Sequence, residues 1–228
     1  LVCELERQKK NSKDIVVDSR KMYASPEYVT REEPGGSELE LTIPEPVGNG
    51  QEEPKSYPLT EWAHSQLAEK TGIPEKYYNR MRKAGQFVLL AKNVNAWLNG
   101  KERRLIRILD GKVRAILGDR YRPMDNYDLL FVALEEFKRH GGVDIHRCDL
   151  TEKSMYVKAV MQYEIREIKE NDEVVPGLIL SNSEVGAGSF KVEPFMLRLL
   201  CSNGLIGEQV IRKIHIGERR DVGDIWSD

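Results

Sequence analysis

Six side chains between residues 107 and 122 have the types and spacing to hold a polyanion: Arg107, Lys112, Arg114, Arg120, Tyr121 and Arg122. Guanidinium and ammonium groups pair with phosphate, and an aromatic face set between cations suits stacking of an unpaired base. A hairpin must position them. Asp110-Gly111 separates two alternating runs, 103–109 and 112–117, and predicts a two-residue turn with positive φ at both positions. Counting outward sets Leu109 opposite Lys112, Ile108 opposite Val113, Arg107 opposite Arg114 and Ile106 opposite Ala115. One face then carries Ile106, Ile108, Val113, Ala115 and Leu117, and the other carries Arg107, Lys112 and Arg114, with Arg120 and Arg122 just beyond. Directly opposed like charges are unfavourable, so something must compensate them. On one reading it is a nucleic-acid backbone; on the other, nearby Asp and Glu side chains or solvent suffice. Tyr121 also reads two ways, as a stacking platform or as a core tyrosine, because Arg120 and Arg122 share the opposite face at period two.

Other groupings carry less chemistry. Cys201 and His215 lack a third group to orient them, so a buried strand cysteine is expected. His146 and Cys148 would share one strand face, yet no further ligands follow at a metal-binding spacing. Asp119, Asp125, Asp128 and Asp144 are the residues a phosphodiester-cleaving metal centre would need, but Asp125 reads equally as a helix cap and Asp128 as a first-turn carboxylate. The stretch 181–189 is rich in small residues without the Lys-Ser/Thr of a phosphate loop, and a turn within a hairpin is expected there. Asn182 and Glu184 in it are polar residues between apolar strands, expected to bond to neighbouring backbone or, alternatively, to line a site. No catalytic residue, metal site or cofactor is assigned.

Charge narrows the classes of partner. Lys plus Arg number 35 against 37 Asp plus Glu, a formal net charge of -2, so any nucleic acid is held by a local groove and not by the mean field. Three widely spaced cysteines, Cys3, Cys148 and Cys201, fit a reducing cytoplasm, and no apolar run reaches the length of a membrane span.

The elements follow from periodicity and punctuation. Asp14-Ile15-Val16-Val17 is strand-like, and 30–58 is dominated by Glu, Pro and Gly, which predicts a long acidic loop or linker. The division expected is therefore an N-terminal segment, 1–58, and an α+β domain, 59–228, with a single domain overall as the alternative. Thr60 caps a helix to about Lys70, Gly72 stops it, and Pro74 opens a second helix. Residues 66–81 resemble a helix-turn-helix that would turn Lys76, Tyr77, Asn79 and Arg80 toward DNA, although a helical hairpin in a core uses the same residue types. A third helix spans about 87–98, and Asp125 or Asn126 caps an amphipathic helix from about Tyr127 to His140, ended by Gly141-Gly142. Strands follow at 143–147, 154–161, 163–168 and 177–182, then 189–200, with an Asn203-Gly204 hairpin turn and a last run at 209–216. The fold class is α+β: early helices and one central helix on a largely antiparallel sheet.

Three motifs carry a resemblance: Leu117 to Asn126, Leu178 to Gly186 and Leu197 to Ile206, with Tyr57-Pro58-Leu59-Thr60 and Ile73 to Tyr78 in support. Together they resemble the phage/plasmid-like domain-of-unknown-function family 932, over about residues 55–215. The resemblance implies a phage, plasmid or other mobile element in a bacterial cytoplasm, and a part in replication, recombination or conflict with the host. It supplies no catalytic residue. At the level of fold the order hairpin, helix, antiparallel strands is similar to Rad52-like single-strand annealing proteins. The function expected is binding of single-stranded DNA or RNA through the six residues named above, without enzymatic activity, with strand annealing by a homo-oligomer as its use. The alternative is an interaction protein that binds a host factor through 30–58 and 60–98.

Overall fold

The computed structural model describes residues 1–26, 38–47, 50–98, 100, 102–162, 166–169, 172–200 and 207–210. The fold is α+β, in two compact units: Arg7–Arg122, and Pro123–Asp228 with Leu1–Glu6. The division expected at 58/59 falls inside the first of these.

In the Arg7–Arg122 unit, α1 (Val2–Asn11) ends and β1 (Ser12–Asp18) begins, followed by β2 (Tyr23–Pro26), β3 (Leu39–Val47) and β4 (Gln51–Pro58). β2, β3 and β4 form an antiparallel sheet in that order. The acidic loop expected from 30 to 58 is thus replaced, from residue 39 onward, by a hairpin; residues 30–37 lie outside the described residues. Leu39, Leu41 and Ile43 alternate inward and are fully buried, which is what holds the strand. Its prolines do not break it, because β2 pairs with β3 only across Leu39–Thr42. Pro44 and Pro46 lie past that pairing, where a missing N–H costs no ladder bond.

Three helices follow, α2 (Glu61–Lys70), α3 (Glu75–Lys83) and α4 (Phe87–Trp97). Thr60 Oγ1 accepts the Ala63 N–H at 3.3 Å, so the expected cap is in place. Gly72 stops α2 at φ +68°, and the Ile73 N–H closes the end on the Ala68 carbonyl at 2.9 Å. Ala63, Leu67, Ala68, Tyr78, Leu90 and Val94 enter one core with Leu39, Leu41, Ile43, Ile106 and Ile116.

The hairpin of β5 (Arg103–Leu109) and β6 (Lys112–Gly118) forms with β1 on its outer side, in the order β1-β5-β6. Asp110 at φ +50° and Gly111 at φ +74° make the expected turn. Arg7 and Asn11 at the end of α1 hold the Asp110 carboxylate at 2.6 and 2.7 Å. The free side of β6 is covered by α2: Thr60 N–H donates to the Val113 carbonyl at 2.9 Å, and Gln66 Oε1 accepts the Ile116 N–H at 2.8 Å. That bond accounts for a glutamine buried at 5% exposure.

The other unit packs α5 (Asn126–His140) on a sheet of β7 (Val143–Leu150), β8 (Met155–Met161), β10 (Asp172–Asn182), β11 (Lys191–Leu200) and β12 (Gly207–Val210), in the order β12-β11-β10-β8-β7. A short β9 (Arg166–Lys169) also pairs with β10, and every pairing is antiparallel. Leu129, Leu130, Ala133 and Phe137 of α5 meet Met155, Val157, Ala159 and Leu180 on one sheet face, with Leu5 of α1. Val160, Val175, Ile179, Phe195 and Leu197 gather on the other. Gly177 is required there, because a Cβ would sit 2.5 Å from the Phe195 ring and from the Ala159 carbonyl oxygen. The expected Asn203-Gly204 turn lies outside the described residues, as do Cys201 and His215.

Candidate functional site

The hairpin does not present the basic face expected of it. Pairing runs as counted for Leu109 with Lys112 and Ile108 with Val113, then slips: Arg107 faces Ala115, Ile106 faces Ile116 and Leu105 faces Leu117. Arg114 is the extra residue of a bulge, and one inserted residue turns everything beyond it to the opposite face. Ile116 therefore joins Ile106, Ile108 and Val113 in the core, while Ala115 and Leu117 fall on the side of Arg107. Arg107 and Arg114 are 3% and 8% exposed. Arg107 Nε donates to Asp14 Oδ1 at 2.9 Å, so a nearby carboxylate compensates it, as the second of the two readings has it.

Lys112, Arg120 and Arg122 are exposed, and Tyr121 is half-buried with its N–H donating to the Gly118 carbonyl at 3.0 Å. The six residues singled out from the sequence are thus three exposed cations, two buried ones and a half-buried ring.

A denser group of exposed cations lies on α3. Lys76, Arg80 and Lys83 stand at i, i+4 and i+7, one face of a helix, and with Asn79 and Ala84 they line an open groove of about 560 Å³. None of the three cations forms an ion pair with another described residue. Tyr77 beside them is 44% exposed, and its hydroxyl accepts from Asn93 Nδ2 at 3.3 Å. Lys76, Tyr77, Asn79 and Arg80 are the residues that the helix-turn-helix pattern turns outward. Lys83 was missed because the pattern ends before it, although its spacing from Lys76 and Arg80 was there to find.

The inner face of α3 anchors this groove. Tyr78 is fully buried and its hydroxyl bonds His64 Nδ1 at 2.9 Å. Burial pushes the Tyr78 hydroxyl up and holds the His64 imidazole down at about 4, with the Arg82 charge adding to the latter. Arg82 grips Glu61 of α2 with two bonds of 2.7 and 2.9 Å, and the bonded guanidinium lowers the Glu61 carboxyl. Ser65 donates to Glu75 at 2.8 Å, fixing the start of α3.

The other unit holds a second polar cluster, at the start of α5. Glu184 Oε1 accepts the Asn126 N–H at 2.5 Å, and Asn182 Nδ2 donates to the Met124 carbonyl at 2.8 Å and to Asn126 Oδ1 at 2.9 Å. Asp125 stands at the cap position, but its side chain makes no capping bond; Glu184 does that work across 58 residues. Asn126, Asn182 and Glu184 are all buried, so the first of the expectations for this pair, bonding to neighbouring backbone, is the one the structure realises. His146 is the extra residue of a bulge in β7 and Cys148 pairs with Val157. Among the described residues no three His, Cys, Asp or Glu side chains gather closely enough to hold a metal ion, and no helix is long and apolar enough to cross a membrane.

Two of the sequence landmarks, 117–126 and 178–186, thus interlock at the α5 cluster. Residues 114–217 match a family model described as a domain of unknown function, DUF932. That segment, less than half of the chain, is similar to this family. The match begins within β6 and takes in α5 and the sheet around it, so the matched segment contains the Asn182–Glu184 cluster and Arg120-Tyr121-Arg122 but not the groove on α3. No curated protein and no solved structure matches the chain.

Proposed function

We propose that the chain binds single-stranded nucleic acid, with the outer face of α3 holding the phosphates. The observation that carries the reading is the stripe of Lys76, Arg80 and Lys83 along an open groove, on a chain whose net charge is -2. A local concentration of unpaired cations on a neutral background is the footprint of a backbone-binding site. Single strands are favoured over the major groove of a duplex. A recognition helix meets base edges with its N-terminal residues, and here that end carries Glu75, held by Ser65. Lys112, Arg120 and Arg122 are further phosphate contacts in this reading, and Tyr121 a stacking contact. Arg107 and Arg114 are withdrawn from it by their burial. Annealing of strands in the cycle of a phage or other mobile element is the use such binding would serve.

Fluorescence anisotropy of a labelled single strand at two salt concentrations tests this. Six phosphate contacts give a slope of log K against log salt of about -4, and the three on α3 alone about -2. Lys76→Glu with Arg80→Glu should lower affinity at least about tenfold while leaving Tm nearly unchanged, because both side chains are exposed. Absence of binding at low salt, or a double reversal without effect, overturns the reading.

One observation favours a second reading, a protein partner seated on α4. Val88, Leu89 and Trp97 are 39%, 48% and 67% exposed on that helix. A complex that survives nuclease treatment and the α3 charge reversal would place this reading first.

A further inference from the structure

The groove on α3 does not end at Lys83. Asn79 and Lys83 also line a second cavity of about 460 Å³, completed by Glu38, Glu61, Arg82 and Phe87. A cavity of that size lies within the range typical of ligand sites, roughly 300 to 1,000 Å³. Its wall combines an aromatic ring, an amide, two carboxylates and two cations. A backbone-binding surface needs only cations. An unpaired base is recognised by stacking on a ring and by hydrogen bonds along its edge, which require donors and acceptors together.

Two buried nitrogens, one on α2 and one on α3, have no hydrogen-bond partner among the described residues. Arg82 uses both terminal amino groups on Glu61, and its Nε–H, buried, has no acceptor among the described residues. His64 Nε2 is likewise buried and unbonded. His64 Nδ1 is taken by the Tyr78 hydroxyl, 2.9 Å away. His64 Nε2 lies 3.9 Å from Glu38 Oε1, beyond hydrogen-bond reach. Buried polar atoms left open in a native fold call for an explanation.

Glu38 and Asn79 supply acceptors for base N–H groups, Asn79 also supplies donors for base carbonyl and ring nitrogen atoms, and Phe87 supplies an aromatic surface. Phe87 is half-buried and packs against the core, so the ring is held in place before anything binds. We infer that the cavity between α2, α3 and the start of α4 receives one unpaired nucleobase while Lys76, Arg80 and Lys83 hold the adjoining phosphates. This rests on the α3 reading and adds to it that the site distinguishes a strand with bases from its bare backbone.

The test titrates the full chain with two labelled oligonucleotides of equal length and charge, one of mixed sequence and one abasic. The strand with bases should bind at least about fivefold more tightly, the lower end of what a single stacked base contributes, with the same salt slope. Phe87→Leu keeps an apolar side chain against the core and removes the aromatic face; Asn79→Ala removes the amide from a half-buried position. Each should cut the preference for bases without altering the salt slope. Equal binding of the two strands overturns the inference and leaves the phosphate stripe standing. A preference that both variants leave intact also overturns it, since the bases would then be read elsewhere. If neither strand binds, the α3 reading and the base site fall together.

Discussion

Arg107 and Asp14 face each other in register across β5 and β1, with Nε and Oδ1 2.9 Å apart. The Arg107 side chain is 4% exposed and that of Asp14 33%. A guanidinium so buried is there for the fold. Removing one member of a buried pair strands the other, though the partial exposure of Asp14 moderates the effect. Arg107→Ala should cost about 2 to 3 kcal/mol and lower Tm by roughly 5 to 10 °C. Loss of oligonucleotide binding at an unchanged Tm would instead return Arg107 to the interface.

Glu184 stands in for the side chain that normally caps a helix, reaching the Asn126 N–H from a loop 58 residues away. Glu184→Ala leaves that buried N–H without an acceptor and should cost about 1 to 3 kcal/mol in chemical unfolding. Glu184→Gln keeps an oxygen in place and should cost clearly less. Equal losses in the two variants would show that packing around residue 184, and not the cap, is what matters.

The His64 imidazole is held at about 4 in the folded protein by burial and the Arg82 charge, against 6.5 for a free histidine. The unfolded chain therefore takes up the proton first. Stability owed to neutral His64 is complete above about pH 6.5 and is lost as the pH falls toward 4, amounting to roughly 3 kcal/mol. His64→Gln cannot titrate. The Tm difference between wild type and this variant should shift in the variant's favour as pH falls from 7 to 4. A difference that stays constant over that range would mean the imidazole does not resist protonation.

Gly177→Ala places a Cβ 2.5 Å from both the Phe195 ring and the Ala159 carbonyl oxygen. Overpacking of this kind costs about 1 to 3 kcal/mol. Adding Phe195→Leu should recover only part of the loss, because the backbone oxygen of β8 remains. Full recovery would assign the whole clash to the ring.

How far these features could be read in the sequence depended on whether a local signal marked them. Thr60, Gly72 and Gly141 announce helix ends through chemistry confined to one turn, and α2 to α5 lie within a residue or two of where they were expected. The Asp110-Gly111 turn was equally plain. The bulge at Arg114 had no such mark: a slip of one residue leaves composition unchanged and is decided by the strand's neighbours. Reading 39–58 as loop followed from Pro44, Pro46, Pro54 and the glutamates, whose weight hid the Leu39-Leu41-Ile43 alternation. The outward face of α3 was legible from spacing. The partners of Glu184 and of His64 were not, since each lies on an element far along the chain and only packing brings them together.

The covering of β6 by α2 also bears on how copies of this chain can meet. Thr60 and Gln66 occupy main-chain groups that an outer strand would offer to an incoming one. β7, at the border of the other sheet, is interrupted at His146 and carries Asp144, Arg147 and Asp149. β4 carries Pro54 and Pro58 among Glu52, Glu53 and Lys55. Each is a recognised guard against edge-to-edge aggregation. Strand addition is thereby blocked at β6 and discouraged at β7 and β4, by a helix, a bulge among charges and prolines respectively, and self-association along these three borders would have to rely on side chains.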